Sequence, residues 1–202
     1  MRTKDRRARE KEDLRQEILD AARDLFVREG YQSVSMRKIA DRIEYSPGTI
    51  YLHFRDKDEL FDCLLEQSFS KLLVMLQEVS RVETSDPVEG LKRGLLAYVN
   101  FGLEHPDQYQ ITFMTPHTLC GAAGGRTDAV GCESFACLQS AVGACIQASL
   151  FRVSDVEAAS QVLWAGVHGV TSLLISKPSF PWVERGALIE SMIETLIGGL
   201  RR

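Results

Sequence analysis

Hydrophobic residues recur along most of the chain at intervals of three or four residues, which is the spacing of one α-helix face. The first such pattern begins at Leu14 and stops at Gly30, a residue typical of helix ends. Later patterns cover residues 57–81, 87–105, 132–151, 154–176 and 182–200. Residues 115–131 hold four Gly and little periodicity and are expected to form the longest loop. No segment alternates convincingly as a strand does, so the pattern predicts an all-α protein.

Two short helices are predicted between residues 35 and 54. Ser35 is a suitable N-cap for the first, which spans about two turns. Ser46 and Pro47 then supply an N-cap and a proline at the first helical position, where its missing N–H is not needed. The second helix, predicted over 47–54, would turn Ile50 and Phe54 inward and leave outward Thr49, Tyr51 and His53.

Two short helices joined by a tight turn describe a helix-turn-helix, in which the second helix enters the major groove of DNA. Thr49 offers a hydroxyl and a methyl group to base edges, and Gly48 allows close backbone approach. The expected phosphate partners are Arg37, His53 and Lys57. An ordinary helical corner with a polar surface would give the same pattern, because this geometry also occurs in proteins that bind no DNA.

The run from Ser35 to Leu60, SMRKIADRIEYSPGTIYLHFRDKDEL, resembles the DNA-binding domain of the tetracycline-repressor (TetR) family, and the likeness extends over about residues 14–62. The resemblance implies that Ser35 and Arg37 reach DNA from the start of the first short helix. It also places Pro47, Gly48 and Thr49 over bases. The full DNA-binding set that we infer is Ser35, Arg37, Ser46, Pro47, Gly48, Thr49, Tyr51, His53 and Lys57.

One residue of the turn departs from the family pattern. Many relatives have Gly where this chain has Glu44. If the backbone there must be left-handed, the strain is on the order of 1 kcal/mol. A carboxylate would also lie near DNA.

The C-terminal part resembles a subgroup of the same family that is named for its Trp, His and Gly residues. The likeness lies in the run WAGVHG from Trp164 and in an earlier run from His105 to Met114. The resemblance implies an effector pocket, for which we infer the set Tyr98, Phe101, Tyr109, Phe113, Trp164 and His168. The alternative for Trp164 and His168 is a purely structural pair, since large aromatic side chains usually pack in cores.

The charge of the chain is distributed unevenly. Its 202 residues have a net charge of -4, but residues 1–57 carry 14 Lys and Arg against 11 Asp and Glu, and residues 58–202 carry 10 against 17. Residues 1–11 form a basic arm that suits a polyanion, although such runs are often solvated tails. The acidic C-terminal part favours an effector that is mostly apolar and neutral or cationic.

Other kinds of chemistry have little support in the sequence. His117, Cys120, Cys132 and Cys137 do not match the spacing of a zinc site, and no phosphate-binding loop or nucleophile motif is present. We therefore expect no metal, no cofactor and no enzyme activity. The five cysteines and the start of the chain, which lacks an apolar signal region, favour a cytoplasmic protein. The uncharged stretch 158–176 carries polar residues, and we expect a buried helix there and no membrane span.

These observations lead to one functional hypothesis and one main alternative. We expect a DNA-binding domain over residues 1–60 and a ligand-binding and dimerisation domain over residues 61–202. The function would be transcriptional repression as a homodimer on a palindromic operator, released by a small molecule. Apolar surplus on the last two helices predicts that they pair with their copies. The alternative is a ligand-binding or scaffold protein of the same fold that does not bind DNA.

Overall fold

The computed structural model describes residues 3–82, 84–115 and 126–202. The helices in these ranges are α1 (Thr3–Glu29), α2 (Met36–Arg42), α3 (Pro47–Tyr51), α4 (Lys57–Ser80), α5 (Pro87–Glu104), α6 (Pro106–Tyr109), α7 (Arg126–Gln147), α8 (Val156–Ser176) and α9 (Arg185–Leu200). A 3₁₀ turn over Tyr31–Ser33 and a π-helical turn over Gln110–Met114 complete the regular structure. No strand occurs within the described ranges apart from one isolated bridge between Phe151 and Arg201. The prediction of an all-α fold is confirmed.

Short polar residues cap the helices, and two of them, Ser35 and Ser46, are the N-caps that the sequence predicts. Ser35 accepts a hydrogen bond from the backbone N–H of Lys38, at 3.2 Å, and Ser46 accepts one from Thr49, also at 3.2 Å. Asp86 caps α5 and Asp155 caps α8 in the same way. Each cap satisfies a backbone donor that the first turn of a helix leaves without a partner.

The chain folds into two compact units. The first contains Met1–Ser68 together with Asp107–Thr118, and the second contains Phe69–Pro106 together with Leu119–Arg202. Helix α4 begins in the first unit and continues into the second. The segment from Asp107 therefore groups with the N-terminal helices, although the sequence analysis assigned it to a domain over residues 61–202. The expected domain boundary at residue 60 stays a prediction.

The first unit is built around an apolar core in which α1, α2, α3 and α4 all take part. Its fully buried side chains include Ile18, Ile39, Ile50 and Leu60, one from each of these helices. Ile111, from the π-helical turn, belongs to the same core. This core packs against one face of α2 and one face of α3, and it leaves their other faces exposed.

In the second unit, α5 packs against α7, α8 and α9. Helices α8 and α9 approach closely at Gly166, where an added Cβ would lie 2.4 Å from Leu196 Cδ1. The C-terminal end of α9 is held by Arg152, whose side chain donates to the carbonyl of Gly199 at 2.7 Å. Three apolar side chains of α9 are buried within the protomer: Ile189, Ile193 and Ile197.

Some boundaries predicted from the sequence are wrong. Helix α1 starts at Thr3 rather than Leu14, and α3 ends at Tyr51 rather than Phe54. The predicted loop over 115–131 is replaced from Arg126 onward by the first turns of α7. Residues 116–125 of that loop lie outside the described residues. Helix periodicity begins where apolar residues begin, so it misses helical turns made of charged or small residues.

Helices α7 and α8 are long and apolar enough to cross a membrane, over Thr127–Gln147 and Val156–Ser176. This is weak evidence, because core helices of soluble proteins have the same length and composition. Here α7 and α8 pack against each other and against α5. Their apolar character is accounted for in part by this packing.

Candidate nucleic-acid interface

Helix α3 and the residues that follow it are fixed by two buried side chains and by an arginine from α1. Ile50 and Phe54 are almost fully buried, as their spacing of four residues predicts. Arg15 donates from Nη1 to the backbone carbonyl of His53, at 3.1 Å, and its guanidinium lies 4.3 Å from the centre of the Phe54 ring. A cation over an aromatic face is attractive, so Arg15 holds the end of α3 against α1.

The outer face of α3 presents a mixture of polar and apolar groups. Ser46 Oγ and Thr49 Oγ1 lie 2.9 Å apart and form a hydrogen bond at the start of the helix. Tyr51 is 55% exposed, as predicted, and the next residue, Leu52, is 77% exposed. Leu52 is not among the DNA-binding residues predicted from the sequence. A large apolar side chain on this surface suits contact with a thymine methyl group. In the sequence, only its position next to Tyr51 indicates that Leu52 belongs to this surface.

The three cations of α2 differ in their partners. Lys38 is paired with Glu29, and Arg42 lies 3.3 Å from a carboxylate oxygen of Asp24. Arg37 is exposed and forms no ion pair with any residue in the described part of the chain. Its positive charge is therefore available to an external anion such as a phosphate.

The turn between α2 and α3 has a left-handed residue at its centre. Glu44 has a φ of 61°, and its carboxylate is on an exposed residue. The departure from the family's Gly therefore does place a side chain in the conformation that favours glycine. The backbone N–H of Tyr45 donates to the carbonyl of Ala40 at 3.0 Å, which closes the turn in spite of the strain.

His53 is less exposed than a simple phosphate contact would require. Its Nδ1 atom is buried and has no hydrogen-bond partner in the described ranges. Burial lowers the pKa of His53, and the positive charges of Lys11 and Arg15 lower it further, against a smaller opposing effect of Glu12. In the free protein the neutral form of the ring is therefore favoured near neutral pH.

Lys57 is engaged within the first unit. Its Nζ donates to the carbonyls of Tyr31 and Val34, at 2.8 and 3.0 Å, and lies 4.0 Å from the centre of the Tyr31 ring. These contacts tie the start of α4 to the turn that precedes α2. They leave one of its three N–H donors for a phosphate.

The residues predicted to bind an effector are divided between the two units. Tyr109 and Phe113 lie in the first unit, with ring centres 5.0 Å apart. The other four lie in the second unit: Tyr98, Phe101, Trp164 and His168. Phe101 is fully buried. An effector role for these six residues stays a prediction.

Three of the four residues in the second unit form a chain of hydrogen bonds. Trp164 Nε1 donates to the hydroxyl of Tyr98 at 3.1 Å, and this hydroxyl lies 3.4 Å from His168 Nδ1. Which of the two groups donates in the contact between Tyr98 and His168 depends on the tautomer of the His168 ring. Burial lowers the pKa of His168, so the neutral ring is favoured.

The described residues include no group of three His, Cys, Asp or Glu side chains that is arranged to hold a metal ion. Cys132 is exposed and Cys137 is half-buried on α7. His117 and Cys120, which the sequence analysis weighed with them, lie outside the described residues.

Two family models match this chain. Residues 18–64 match the model of bacterial regulatory proteins of the tetR family, and residues 91–196 match that of a tetracyclin repressor-like C-terminal domain. The second match alone covers more than half of the chain. Neither model assigns the Trp, His and Gly subgroup, which stays a prediction.

Curated relatives include both transcriptional activators and transcriptional repressors. The chain is 32% identical over 104 residues to the HTH-type transcriptional activator FasR of Mycolicibacterium smegmatis, over 51% of this chain and 47% of that protein. It is 35% identical over 69 residues to the HTH-type transcriptional repressor AcnR of Corynebacterium diphtheriae, over 34% of this chain and 36% of that protein. The matched stretches thus span less than half the length of either relative.

A solved structure resembles the whole fold. The fatty acid degradation regulator FadR of Bacillus halodurans superimposes with a TM-score of 0.75 at 20% identity, over 92% of this chain and 99% of that chain. At this level of identity the likeness concerns the fold alone. It agrees with an N-terminal helix-turn-helix followed by a helical C-terminal domain.

Proposed function

Since this chain belongs to the tetR family of bacterial regulatory proteins, and is a DNA-binding transcription regulator rather than an enzyme, we propose that it is a repressor released by a small molecule. It binds a palindromic operator as a homodimer and acts in the cytoplasm. The observation that carries the DNA-binding part is the outer surface of α2 and α3. There Arg37, which forms no ion pair within the described residues, lies on α2, and the capped helix α3 presents Thr49 and Tyr51.

The surface has separate groups for positioning and for sequence recognition. Gly48 and Thr49, on the first turn of α3, are the residues expected over base edges, where a hydroxyl or methyl distinguishes one base from another. Arg37 and the third donor of Lys57 are suited to phosphates, which position the protein without reading sequence. This division argues against the alternative of a scaffold protein that does not bind DNA.

Dimerisation through α8 and α9 is supported by the surface of α8. Val162 is 55% exposed and Leu173 is 46% exposed, on a helix whose opposite face is buried in the second unit. Regulators of this family typically form dimers. A second copy would cover these side chains and place two copies of α3 on successive major grooves, about 34 Å apart.

The effector is proposed to be mostly apolar and neutral or cationic. The hydrogen-bonded set of Tyr98, Trp164 and His168 offers aromatic surface with a few polar groups, which is typical of small-molecule sites. Bound effector would shift the dimer toward a spacing of the two α3 helices that no longer fits two grooves. A tenfold loss of operator affinity needs a coupling free energy of only about 1.4 kcal/mol.

The test is selection of an operator from random DNA, followed by titration of the parent protein and Thr49→Ala at several salt concentrations. We expect two chains per palindrome. Thr49→Ala should change the preference at one base position by about 1–3 kcal/mol per half-site, while the slope of affinity against salt stays unchanged.

Thr49→Ser is the matched control, because it keeps the hydroxyl and removes only the methyl group. If the methyl group recognises thymine, the Ser and Ala variants lose the same preference; if the hydroxyl recognises a base, only Ala does. A parent protein that selects no sequence, or a Thr49→Ala variant that binds as the parent does, would contradict the proposal.

A further inference from the structure

Helix α1 extends well beyond the part that the family model matches. The match begins at residue 18, whereas α1 begins at Thr3. Leu14 packs against the core of the first unit, whereas residues 6–13 are exposed. Helical turns with exposed side chains contribute little to stability, so the charges of residues 6–13 call for another explanation.

The charges of the extension differ from one helix face to another. Arg6 and Glu10 form an ion pair at 3.3 Å. Arg7, Lys11 and Arg15 follow one another at intervals of four residues and therefore share one face. Arg7 and Lys11 have no ion-pair partner in the described part of the chain. Like charges spaced by four residues repel each other and destabilise an isolated helix.

This face is directed toward the end of α3. Arg15 donates to the carbonyl of His53 at 3.1 Å, which fixes one end of the row of cations beside the DNA-binding surface. One turn further from this contact, Lys11 is close enough to His53 to lower its pKa. Arg7 continues the row for a second turn, so that the row is about 12 Å long at 1.5 Å per residue.

We propose that Arg7 and Lys11 form a second DNA-binding element, which contacts operator phosphates beyond those reached by α2 and α3. The inference rests on the proposed function, because it extends the same DNA interface. The length of the row corresponds to about three to four base pairs. A polyanion along this face removes the mutual repulsion of the cations, and binding releases the counterions that the phosphates had condensed.

The test is the salt dependence of operator binding by the full chain. The probe is the selected operator, with at least ten base pairs of flanking DNA on each side, titrated with the parent and with the double variant Arg7→Gln, Lys11→Gln. Loss of two phosphate contacts should lower the slope of log affinity against log salt by about 2 per half-site. Affinity at low salt should fall roughly tenfold or more, and the order of preference among operator variants should not change.

The matched control is the double variant Arg6→Gln, Arg9→Gln, which removes the same charge from the other faces of the same helix. It should keep the slope of the parent. If both double variants lower the slope equally, the effect is one of net charge and the inference is overturned. An unchanged slope for Arg7→Gln, Lys11→Gln would overturn it as well. If the parent itself selects no DNA, the proposed function fails and the inference fails with it; a failure of the inference alone leaves parental binding intact.

Discussion

At the scale of one residue, Glu44 is unfavourable both for the backbone and for the proposed DNA interface. Its φ of 61° is a conformation that L residues other than Asn and Asp rarely adopt, at a cost of about 1–2 kcal/mol. Its carboxylate also lies in the turn between α2 and α3, which would be close to DNA phosphates in the proposed complex. We therefore expect Glu44 to weaken both the fold of the first unit and the affinity for DNA.

Replacing Glu44 by Gly is expected to stabilise the protein and to strengthen operator binding. Relief of backbone strain outweighs the greater flexibility of Gly in the unfolded chain, for a net gain of about 0.5–1 kcal/mol in the free energy of unfolding. Loss of the carboxylate should raise operator affinity at low salt. Denaturant titration measures the first effect and DNA titration the second.

Two control variants separate the strain from the charge. Ser149 also has a left-handed backbone, with a φ of 58°, in the second unit. Ser149→Gly should therefore stabilise the protein without affecting DNA binding, whereas Glu44→Gln should strengthen binding without relieving strain. Unchanged stability of Glu44→Gly would mean that the turn is not strained.

At the scale of the helix, a single glycine permits the close packing of α8 against α9. Gly166 lies where α8 meets Leu196 of α9, and an added Cβ would overlap Leu196 Cδ1. Gly94, on α5, has no atom within 4 Å of the position of an added Cβ. The two residues are both inside helices, so they differ in packing rather than in helix propensity.

Gly166→Ala is expected to destabilise the protein although Ala is the better helix former. Overpacking costs about 1–3 kcal/mol, and the gain in helix propensity offsets about 1 kcal/mol of it. Gly94→Ala should have the opposite effect and stabilise by up to about 1 kcal/mol. Chemical denaturation of both variants measures the difference; equal effects would show that Leu196 moves aside freely.

Helix caps were the part of the fold that the sequence predicted best. Ser35, Ser46 and Pro47 mark helix starts by local chemistry, because each group acts on the backbone next to it. The family's Gly at the position of Glu44 indicated that this turn could be left-handed, and the backbone there has a φ of 61°. The start of α1 at Thr3 was not predictable from periodicity, since its first turns carry charges and no large apolar residue before Leu14.

The partners of the site residues depend on folding and were not visible in the sequence. Lys57 was expected to bind phosphate, but two of its donors are used by carbonyls 23 and 26 residues away. His53 was expected to be outward, yet its Nδ1 is buried. Residue type and spacing indicate which side chains reach a surface. They do not indicate which of their atoms are already satisfied.

At the scale of the whole molecule, three histidines act together on stability. Burial lowers the pKa of His53, His105 and His168, and positive charges from Lys11, Arg15 and Lys71 add to the effect at the first two. In the unfolded chain each imidazole has an ordinary pKa near 6.5. The unfolded state therefore binds more protons than the folded state in the range just below that value.

Stability is therefore expected to rise with pH through this range and to be lost as the pH falls below about 6.5, because protons favour the state that binds more of them. His168→Asn should reduce this loss, since Asn does not titrate and can still bond to the hydroxyl of Tyr98. Thermal unfolding of the parent and the variant between pH 7.5 and 5.5 provides the measurement. The carboxylates contribute little there, as their ordinary pKa values lie near 4. A variant whose thermal midpoint falls with pH as steeply as that of the parent would show that His168 takes up a proton equally well in the folded and unfolded states.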